Sequence, residues 1–170
     1  MKKTSLSHPL QIAEVSAGSG LGRVGITLCP GKLDPHAMTG HWVRDLALDL
    51  DAVRDWGATA VVTLLEPKEL ALLKVEHLGE EVLRRNMLWF HLPIADVSIP
   101  DKQFERGWDV AGEKLRSILR SGLDVLVHCR GGLGRAGTIA ARLLVELGVD
   151  PTKAIANVRA VRPGAIETKD

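Results

Sequence analysis

The sequence predicts an α/β fold, with a single domain built on a mostly parallel central sheet and helices on both faces. Short runs rich in Val, Ile and Leu alternate along the chain with stretches of helical periodicity, which is the pattern of strands joined by crossover helices. The chain has 170 residues, close to the size of one domain. Hydrophobic residues make up 45% of it, which is enough for one core without disulfides or metals.

The strands and helices are expected in alternating order. Strands are expected over 23–28, 58–65, 87–94 and 124–129, and helices over 40–56, 67–86 in two pieces, 102–121, 135–147 and 151–162. The run ATAVVTLL at 58–65 is apolar throughout, as in a parallel strand covered on both faces. Thr39, Asp101 and Asp150 stand where helix N-caps are needed, and Gly122 and Gly148 stand where helices end.

Two further expectations concern the N-terminal third of the chain. Residues 1–22 are polar, end in SAGSGLG and are expected to form a flexible arm, so that the domain proper covers 23–170. In the helix expected over 40–56, Asp49 falls away from the apolar face and is expected to be solvated.

Charge, cysteine content and motif spacing give no indication of nucleic acid, membrane or metal as a partner. The 22 basic and 21 acidic side chains nearly cancel, so neither nucleic acid nor a membrane is expected as a partner. Two cysteines do not make a disulfide framework, and no signal peptide or membrane span is evident, so a cytoplasmic location is expected. Asp34, His36 and His41 fit no ligand spacing, so neither a metal nor another cofactor is expected.

The stretch HCRGGLGRAG, residues 128–137, is predicted to bind a tetrahedral anion such as phosphate or sulfate. It joins the strand DVLVHC to a helix, where α/β sheets place their sites. Its glycines let successive N–H groups turn inward, the helix N-terminus adds partial positive charge, and Arg135 offers a planar fork to two oxygens. The expected loop comprises Arg130, Gly131, Gly132, Leu133 and Gly134.

Cys129 lies at the start of this loop. The inward N–H groups, the helix dipole and Arg135 all favour a thiolate there. A thiolate at the floor of a phosphate cradle is a nucleophile directed at phosphorus. The alternative is a buried cysteine beside a tight turn, which would not require the glycines and the arginine at this spacing.

Cleavage of a phosphate ester also needs an acid for the leaving oxygen. The segment HLPIADVSIPD supplies Asp96 and Asp101 on a neighbouring loop. Asp96 follows a strand and has no helix to cap, whereas Asp101 precedes a helix and fits an N-cap. Asp96 is therefore the favoured acid, although a turn-forming Asp is the alternative there.

Four segments in order resemble the kinase-associated branch of the cysteine-dependent protein tyrosine and dual-specificity phosphatases. These segments are LCPGK (28–32), HLPIAD (91–96), HCRGGLGR (128–135) and VRPGAIET (161–168). The resemblance implies a protein tyrosine phosphatase-like fold, with its phosphate loop between a strand and a helix. It also implies a phosphocysteine intermediate on Cys129, phosphate binding by Arg135, Asp96 as general acid, and no metal.

The resemblance also bears on flanking residues. His128 is expected to brace the loop by hydrogen bonds, although a satisfied buried histidine would look the same. Many relatives carry Ser or Thr directly after the arginine, where this chain has Ala136; Thr138 is the nearest hydroxyl that could substitute. Relatives continue with a further helix, so a domain shortened at its C-terminus is expected.

The expected substrate is a phosphorylated protein. Lysines that meet the extra phosphates of phosphoinositides are absent between Cys129 and Arg135, where Arg130 is the one charged residue. Tyrosine, which often walls phosphotyrosine-only pockets, is absent from the chain, so a shallow pocket that accepts phosphotyrosine and phosphoserine or phosphothreonine is expected. The family name indicates a kinase as substrate.

Two other readings remain. A rhodanese-like sulfurtransferase or arsenate reductase also uses a loop cysteine, but sulfur transfer needs no acid at Asp96. A non-catalytic module that binds phosphoproteins would normally have lost Cys129, Arg135 or Asp96, and all three are present.

Overall fold

The computed structural model describes residues 1–96 and 98–166. Their strands are β1 (Lys2–Thr4), β2 (Ala13–Ser16), β3 (Arg23–Thr27), β4 (Leu33–Ala37), β5 (Gly40–Val43), β6 (Ala58–Thr63), β7 (Leu88–His91) and β8 (Asp124–His128). Their helices are α1 (Leu46–Trp56), α2 (Pro67–Leu72), α3 (Leu78–Arg84), α4 (Lys102–Arg120), α5 (Gly134–Glu146) and α6 (Pro151–Val161).

The central sheet has five strands in the order β2-β3-β8-β6-β7. β3, β8, β6 and β7 run parallel, and β2 pairs antiparallel with β3 at one edge. Val125 and Val127 of β8 pack into the cluster formed with α4, α5 and α6, whereas Leu126 packs into the cluster formed with α1 to α3. Successive side chains of a strand point to opposite faces, so helices cover both faces of the sheet and the expected α/β fold is confirmed.

The prediction of a flexible arm over residues 1–22 is wrong. β1 pairs parallel with β5, and β2 pairs with β3 through four residue pairs that include Val15 and Val24. Val15 is buried in the core, which gives the short strand its stability. Strands of three and four residues are too short for an alternating pattern to stand out in the sequence.

The prediction of a helix starting at residue 40 is also wrong. Residues 33–43 form the β4–β5 hairpin, and the N-cap of α1 is Asp45, whose side chain accepts from the Leu48 amide. Trp42 is buried in β5. The hairpin turn uses Gly40 at φ +135°, a conformation that glycine adopts at no steric cost.

Asp49 is buried and ion-paired, contrary to the expectation that it is solvated. Its carboxylate accepts from Arg44 Nε at 2.8 Å and Nη2 at 3.0 Å, and from the Gly31 amide at 2.8 Å. The three contacts satisfy a charge that would otherwise be costly to bury. The pair ties α1 to the turn that follows β3.

The C-terminal half matches the predicted elements closely. Asp101 and Asp150 are the N-caps of α4 and α6, with side chains that accept from Phe104 N and Lys153 N. No helix among the described residues is long and apolar enough to cross a membrane. Residues 167–170 lie outside the described part of the chain.

Candidate active site

The loop after β8 forms the floor of a cavity of about 340 Å³. β8 lies between the parallel strands β3 and β6, so Cys129 stands at the carboxyl edge of the sheet, and α5 begins five residues later. The cavity is lined by Lys32, Asp34, His36, Ala37, Met38, Thr39, Asp96, Ser98, Cys129, Arg130, Gly131, Leu133, Gly134, Arg135 and Thr138. The structure therefore brings the predicted nucleophile, anion-binding arginine and acid to one cavity.

Gly132 allows the loop to turn directly against β3. Its φ is +75°, and a Cβ there would lie 2.6 Å from the carbonyl carbon of Thr27 and 2.7 Å from its oxygen. Both contacts are with backbone, which cannot move aside. A side chain at this position would push the loop off the sheet.

Arg135 is held by a buried carboxylate that the sequence analysis did not identify. Its Nη1 and Nη2 lie 2.7 and 2.9 Å from Glu69 Oε1 and Oε2, and Nη1 also donates to the Ile94 carbonyl at 3.0 Å. This pairing occupies one edge of the guanidinium and leaves the Nε–Nη2 edge to bind two oxygens of an anion.

Glu69 stays ionised in this setting. Burial favours the neutral carboxyl, but hydrogen bonds from Arg135 and from the Glu66 amide bring the pKa of Glu69 below its ordinary value. Glu69 lies in the first turn of α2, at the carboxyl end of β6. β6 is the neighbour of β8, the strand that leads into the phosphate loop. The position of Glu69 at the end of β6 is therefore the signal that could have identified it.

Asp96 lies on the loop that follows β7 and faces the cavity. Its Oδ1 is 3.3 Å from Arg135 Nη2, and its side chain is 57% exposed. Asp101 instead accepts from the Phe104 amide at 2.8 Å and caps α4. The geometry agrees with Asp96 as the acid and Asp101 as the cap.

His128 is fully buried behind the cysteine. Its Nε2 is 2.7 Å from Thr63 Oγ1, and its Nδ1 is 3.2 Å from the Cys129 carbonyl. Burial is the main cause that lowers the pKa of His128 to about 4, so the ring is neutral at pH 7. Because a carbonyl only accepts, we assign the proton to Nδ1, which leaves Nε2 to accept from Thr63.

Thr63 extends this network to the neighbouring strand. Its Oγ1 also accepts from Trp89 Nε1 at 2.8 Å, so a chain of hydrogen bonds runs from Trp89 through Thr63 and His128 to the Cys129 carbonyl. The chain fixes the end of β8 across two strands. This arrangement fits the bracing role suggested for His128, and its low pKa argues against proton transfer near neutral pH.

We expect the buried His128 to make stability depend on pH. Its pKa is about 4 in the folded chain and about 6.5 when exposed, so the unfolded chain binds more protons between these values. Stability is then fully present above pH 6.5 and falls by about 3 kcal/mol as the pH drops to 4. Urea unfolding from pH 4.5 to 8 tests this for wild type and His128→Asn. His77→Asn is the matched control, because His77 is exposed. An unchanged slope in His128→Asn would contradict the assignment.

Arg130 and Thr138 line the cavity but are engaged with the protein. Arg130 donates from Nε and Nη2 to the Asp34 carboxylate at 3.0 and 2.9 Å, and these bonds lead the causes that lower the pKa of Asp34. Thr138 donates to the Gly134 carbonyl one helical turn earlier, at 2.9 Å. Ala136, between the arginine and Thr138, is fully buried.

Among residues 1–96 and 98–166, no group of three or more His, Cys, Asp or Glu side chains is arranged to hold a metal ion. Both cysteines are free thiols, and burial raises the pKa of Cys29 strongly.

The comparisons with known sequences agree with this site. The family model described as "Swiss Army Knife protein, DSP-PTPase phosphatase domain" matches residues 31–170. Cyclin-dependent kinase inhibitor 3 of Rattus norvegicus is 32% identical over 128 residues, which cover 74% of this chain and 59% of that protein. The Homo sapiens protein of the same name is 30% identical over 128 residues, with the same coverage. This chain thus spans 59% of the length of these relatives.

Solved structures give the same family. Kinase-associated phosphatase with its catalytic-site cysteine substituted by serine matches with a TM-score of 0.80 and 27% identity, over 94% of this chain and 88% of that one. Tk-PTP in its active form matches with a TM-score of 0.63 and 31% identity, over 92% and 89%. The chain therefore belongs to the dual-specificity and protein tyrosine phosphatase superfamily, on its kinase-associated phosphatase branch.

Proposed function

We propose that this chain is a protein phosphatase that hydrolyses phosphotyrosine and phosphoserine or phosphothreonine through a phosphocysteine on Cys129. The observation that carries the proposal is the arrangement of Cys129, Arg135 and Asp96 around one cavity floored by the glycine-rich loop. The loop amides and Arg135 bind the phosphate oxygens, and the thiolate lies beneath them. The distance of 3.3 Å between Asp96 Oδ1 and Arg135 Nη2 supports Asp96 as an acid that acts beside a phosphate bound by Arg135.

The reaction balances in two steps. Cys129 Sγ attacks phosphorus while the P–O ester bond breaks, and Asp96 gives its proton to the leaving oxygen. Water then attacks the phosphocysteine, Asp96 takes a proton from that water, and the S–P bond breaks to release inorganic phosphate and the thiolate. His128 braces the loop without transferring protons, and Thr138 is the hydroxyl nearest in sequence to support the leaving thiolate.

The lining of the cavity supports a broad range of phosphoprotein substrates. Its described residues include no Phe, Tyr or Trp to form a deep wall against a phosphotyrosine ring, and His36 is the one ring among them. The names of the relatives associate those proteins with kinases, which makes a phosphorylated kinase the first partner to test. The two free thiols fit a reducing, cytoplasmic compartment.

The proposal is tested by turnover of p-nitrophenyl phosphate and of a panel of phosphorylated compounds. The panel contains phosphotyrosine and phosphothreonine peptides and inositol phosphates, assayed without metal. Turnover of the peptides supports the proposal. Preference for inositol phosphates contradicts the protein substrate, and phosphate-dependent binding without turnover leaves only the non-catalytic reading.

We expect Asp96→Asn to remove the general acid. For a phosphopeptide, kcat falls roughly 10²-fold or more, because the leaving oxygen departs without a proton. For p-nitrophenyl phosphate the loss is smaller, since p-nitrophenolate leaves readily, and the basic limb of the pH profile flattens. The pH dependence of kcat for both substrates measures this.

The matched control for this variant is Asp101→Asn. It makes the same change five residues away, and Asn also serves well as an N-cap. We expect its kcat and pH profile to equal those of wild type. If the basic limb flattens in Asp101→Asn and is unchanged in Asp96→Asn, the general acid is Asp101 and the assignment to Asp96 is wrong.

A further inference from the structure

The carbonyl oxygens of the phosphate loop are bound from outside the loop by two cationic side chains. Lys32 Nζ donates to the Arg130 carbonyl at 3.1 Å. Arg162 donates from Nη2 to the Gly131 carbonyl at 2.9 Å and from Nε to the Gly132 carbonyl at 3.0 Å. Three consecutive carbonyls are therefore bound by Lys32, which also lines the cavity, and by Arg162, which is not among the described residues of its lining.

The direction of a carbonyl sets the direction of the next amide. A trans peptide unit is planar, with its C=O and N–H pointing in opposite directions, and the described chain has no cis peptide bond. Carbonyls of 130, 131 and 132 that point outward turn the N–H groups of Gly131, Gly132 and Leu133 inward. Within residues 1–96 and 98–166, these three amides donate to no backbone carbonyl. Gly131 and Leu133 line the cavity.

The two cations come from separate parts of the fold. Lys32 follows the turn after β3, is 2% exposed and also lies 3.5 Å from Asp34 Oδ2. Arg162 is the C-cap residue of α6 and is half-buried. The Cys29 amide also reaches the Arg130 carbonyl, at 3.1 Å, so the backbone and Lys32 hold that peptide unit together.

Cations suit this task better than neutral donors. Hydrogen bonds from a charged donor are about twice as strong as neutral ones, so they resist rotation of glycine peptide units, which have the freest backbone. Gly131 and Gly132 have no side chains to hold their conformation. The guanidinium of Arg162 spans two adjacent carbonyls, which a single ammonium would do less well.

We propose that Lys32 and Arg162 are positioning residues that hold the peptide units of the phosphate loop with their N–H groups directed at the bound phosphate. The proposal rests on the proposed function, because it concerns how the same loop binds its phosphate. Of the two, only Lys32 is among the described residues that line the cavity. Both act through the backbone amides that bind phosphate and favour the Cys129 thiolate.

The experiment compares Arg162→Met with Arg159→Met. Arg159 lies on the same helix and donates to the carbonyls of Ala165 and Ile166, outside the loop, so it is the matched control. Two readouts need no turnover: the pH at which iodoacetamide alkylates Cys129 at half its maximal rate, and the concentration of inorganic phosphate that protects Cys129 from alkylation. A third readout is the separate effect on kcat and KM for p-nitrophenyl phosphate.

In Arg162→Met we expect alkylation of Cys129 to shift to higher pH, because inward amides that stabilise the thiolate are lost. The protecting phosphate concentration rises about tenfold and kcat falls, while Arg159→Met equals wild type in all three readouts. Arg162→Lys recovers part of the phosphate affinity. Lys32→Met has the same direction of effect where it folds. Lys32 is buried, so its substitution can disturb folding, whereas Arg162 is half-buried and its substitution is better tolerated. Arg162→Met alone therefore decides the test.

Two results separate this inference from the proposed function. A folded Arg162→Met with wild-type alkylation midpoint and phosphate protection overturns the positioning role, even if wild type is an active phosphatase. A wild type that neither hydrolyses p-nitrophenyl phosphate nor is protected by phosphate overturns the proposed function itself. If Arg159→Met and Arg162→Met change the three readouts equally, both arginines only stabilise the C-terminal segment. That result also overturns the positioning role.

Discussion

Cys129→Ser abolishes hydrolysis of p-nitrophenyl phosphate, with kcat reduced by about 10⁴-fold or more. The physical reason is that a serine hydroxyl is a far weaker nucleophile than the sulfur that it replaces. Loss of a nucleophile that forms a covalent intermediate typically removes nearly all of the catalysed rate. Initial rates at high enzyme concentration, with phosphate release measured directly, give the residual activity.

The same variant keeps its phosphate site, because Arg135 and the loop amides are unchanged. We expect Cys129→Ser to bind a phosphotyrosine peptide with an affinity close to the KM of wild type, which equilibrium binding measures. Wild type should incorporate one iodoacetamide, at Cys129, since Cys29 is fully buried, and the variant should incorporate none. Residual turnover within tenfold of wild type would show that the cysteine is not the nucleophile and would favour a different reaction class.

The phosphate loop could be predicted from the sequence because its chemistry is local. The strand of β8, the glycines, Cys129 and Arg135 lie within a dozen consecutive residues, and strand–loop–helix order places them at the carboxyl edge of the sheet. Asp96 could be added because β7, which precedes it, and β8, which precedes the phosphate loop, end at the same edge of the sheet. Caps such as Asp101 and Asp150 were predictable for the same reason, because a cap depends on residues three or four positions away.

Some ion-pair partners could not be predicted, because they depend on how the chain folds and not on the local sequence pattern. Glu69 lies 66 residues from Arg135, and its position in the first turn of α2, at the carboxyl end of β6, is what sets it apart from a solvated glutamate. Asp49 was assigned to solvent by helical periodicity, but Arg44 follows β5 and reaches it inside the fold. The β4–β5 hairpin is not predicted because its strands are only five and four residues long, and Trp42 falls at helical spacing from the apolar residues of the helix that follows.

Glu69→Gln is expected to reduce kcat/KM for phosphate esters by about 10²-fold. In wild type, two parallel hydrogen bonds orient Arg135, at 2.7 and 2.9 Å. The Gln amide keeps one acceptor, but its NH₂ group faces a guanidinium donor, so the fork rotates or shifts. Displacement of an oriented group by about 1 Å is enough for a loss of this size. The inhibition constant of inorganic phosphate is expected to rise as well. That rise distinguishes loss of phosphate binding from loss of the nucleophile.

The same substitution also destabilises the fold, in a way that depends on pH. Removing one charge of a buried ion pair costs about 3 kcal/mol, because Arg135 is 5% exposed and loses the carboxylate that faces both of its terminal nitrogens. Glu69 has a lowered pKa, so its contribution is present above about pH 4.5, its ordinary pKa, and is lost as the pH falls below that value. Urea unfolding should therefore show that the difference between wild type and Glu69→Gln shrinks from pH 7 to pH 3.

The matched control for Glu69→Gln is Glu105→Gln. Glu105 also pairs with both terminal nitrogens of an arginine, Arg142, at 2.6 and 2.7 Å, but its side chain is 46% exposed and lies outside the catalytic cavity. Solvent screening limits such a pair to about 1 kcal/mol or less, and kcat/KM should equal that of wild type. If both variants lose stability equally and neither loses activity, Glu69 is an ordinary ion-pair partner. If only Glu69→Gln loses activity, orientation of Arg135 by Glu69 is what the phosphate site requires.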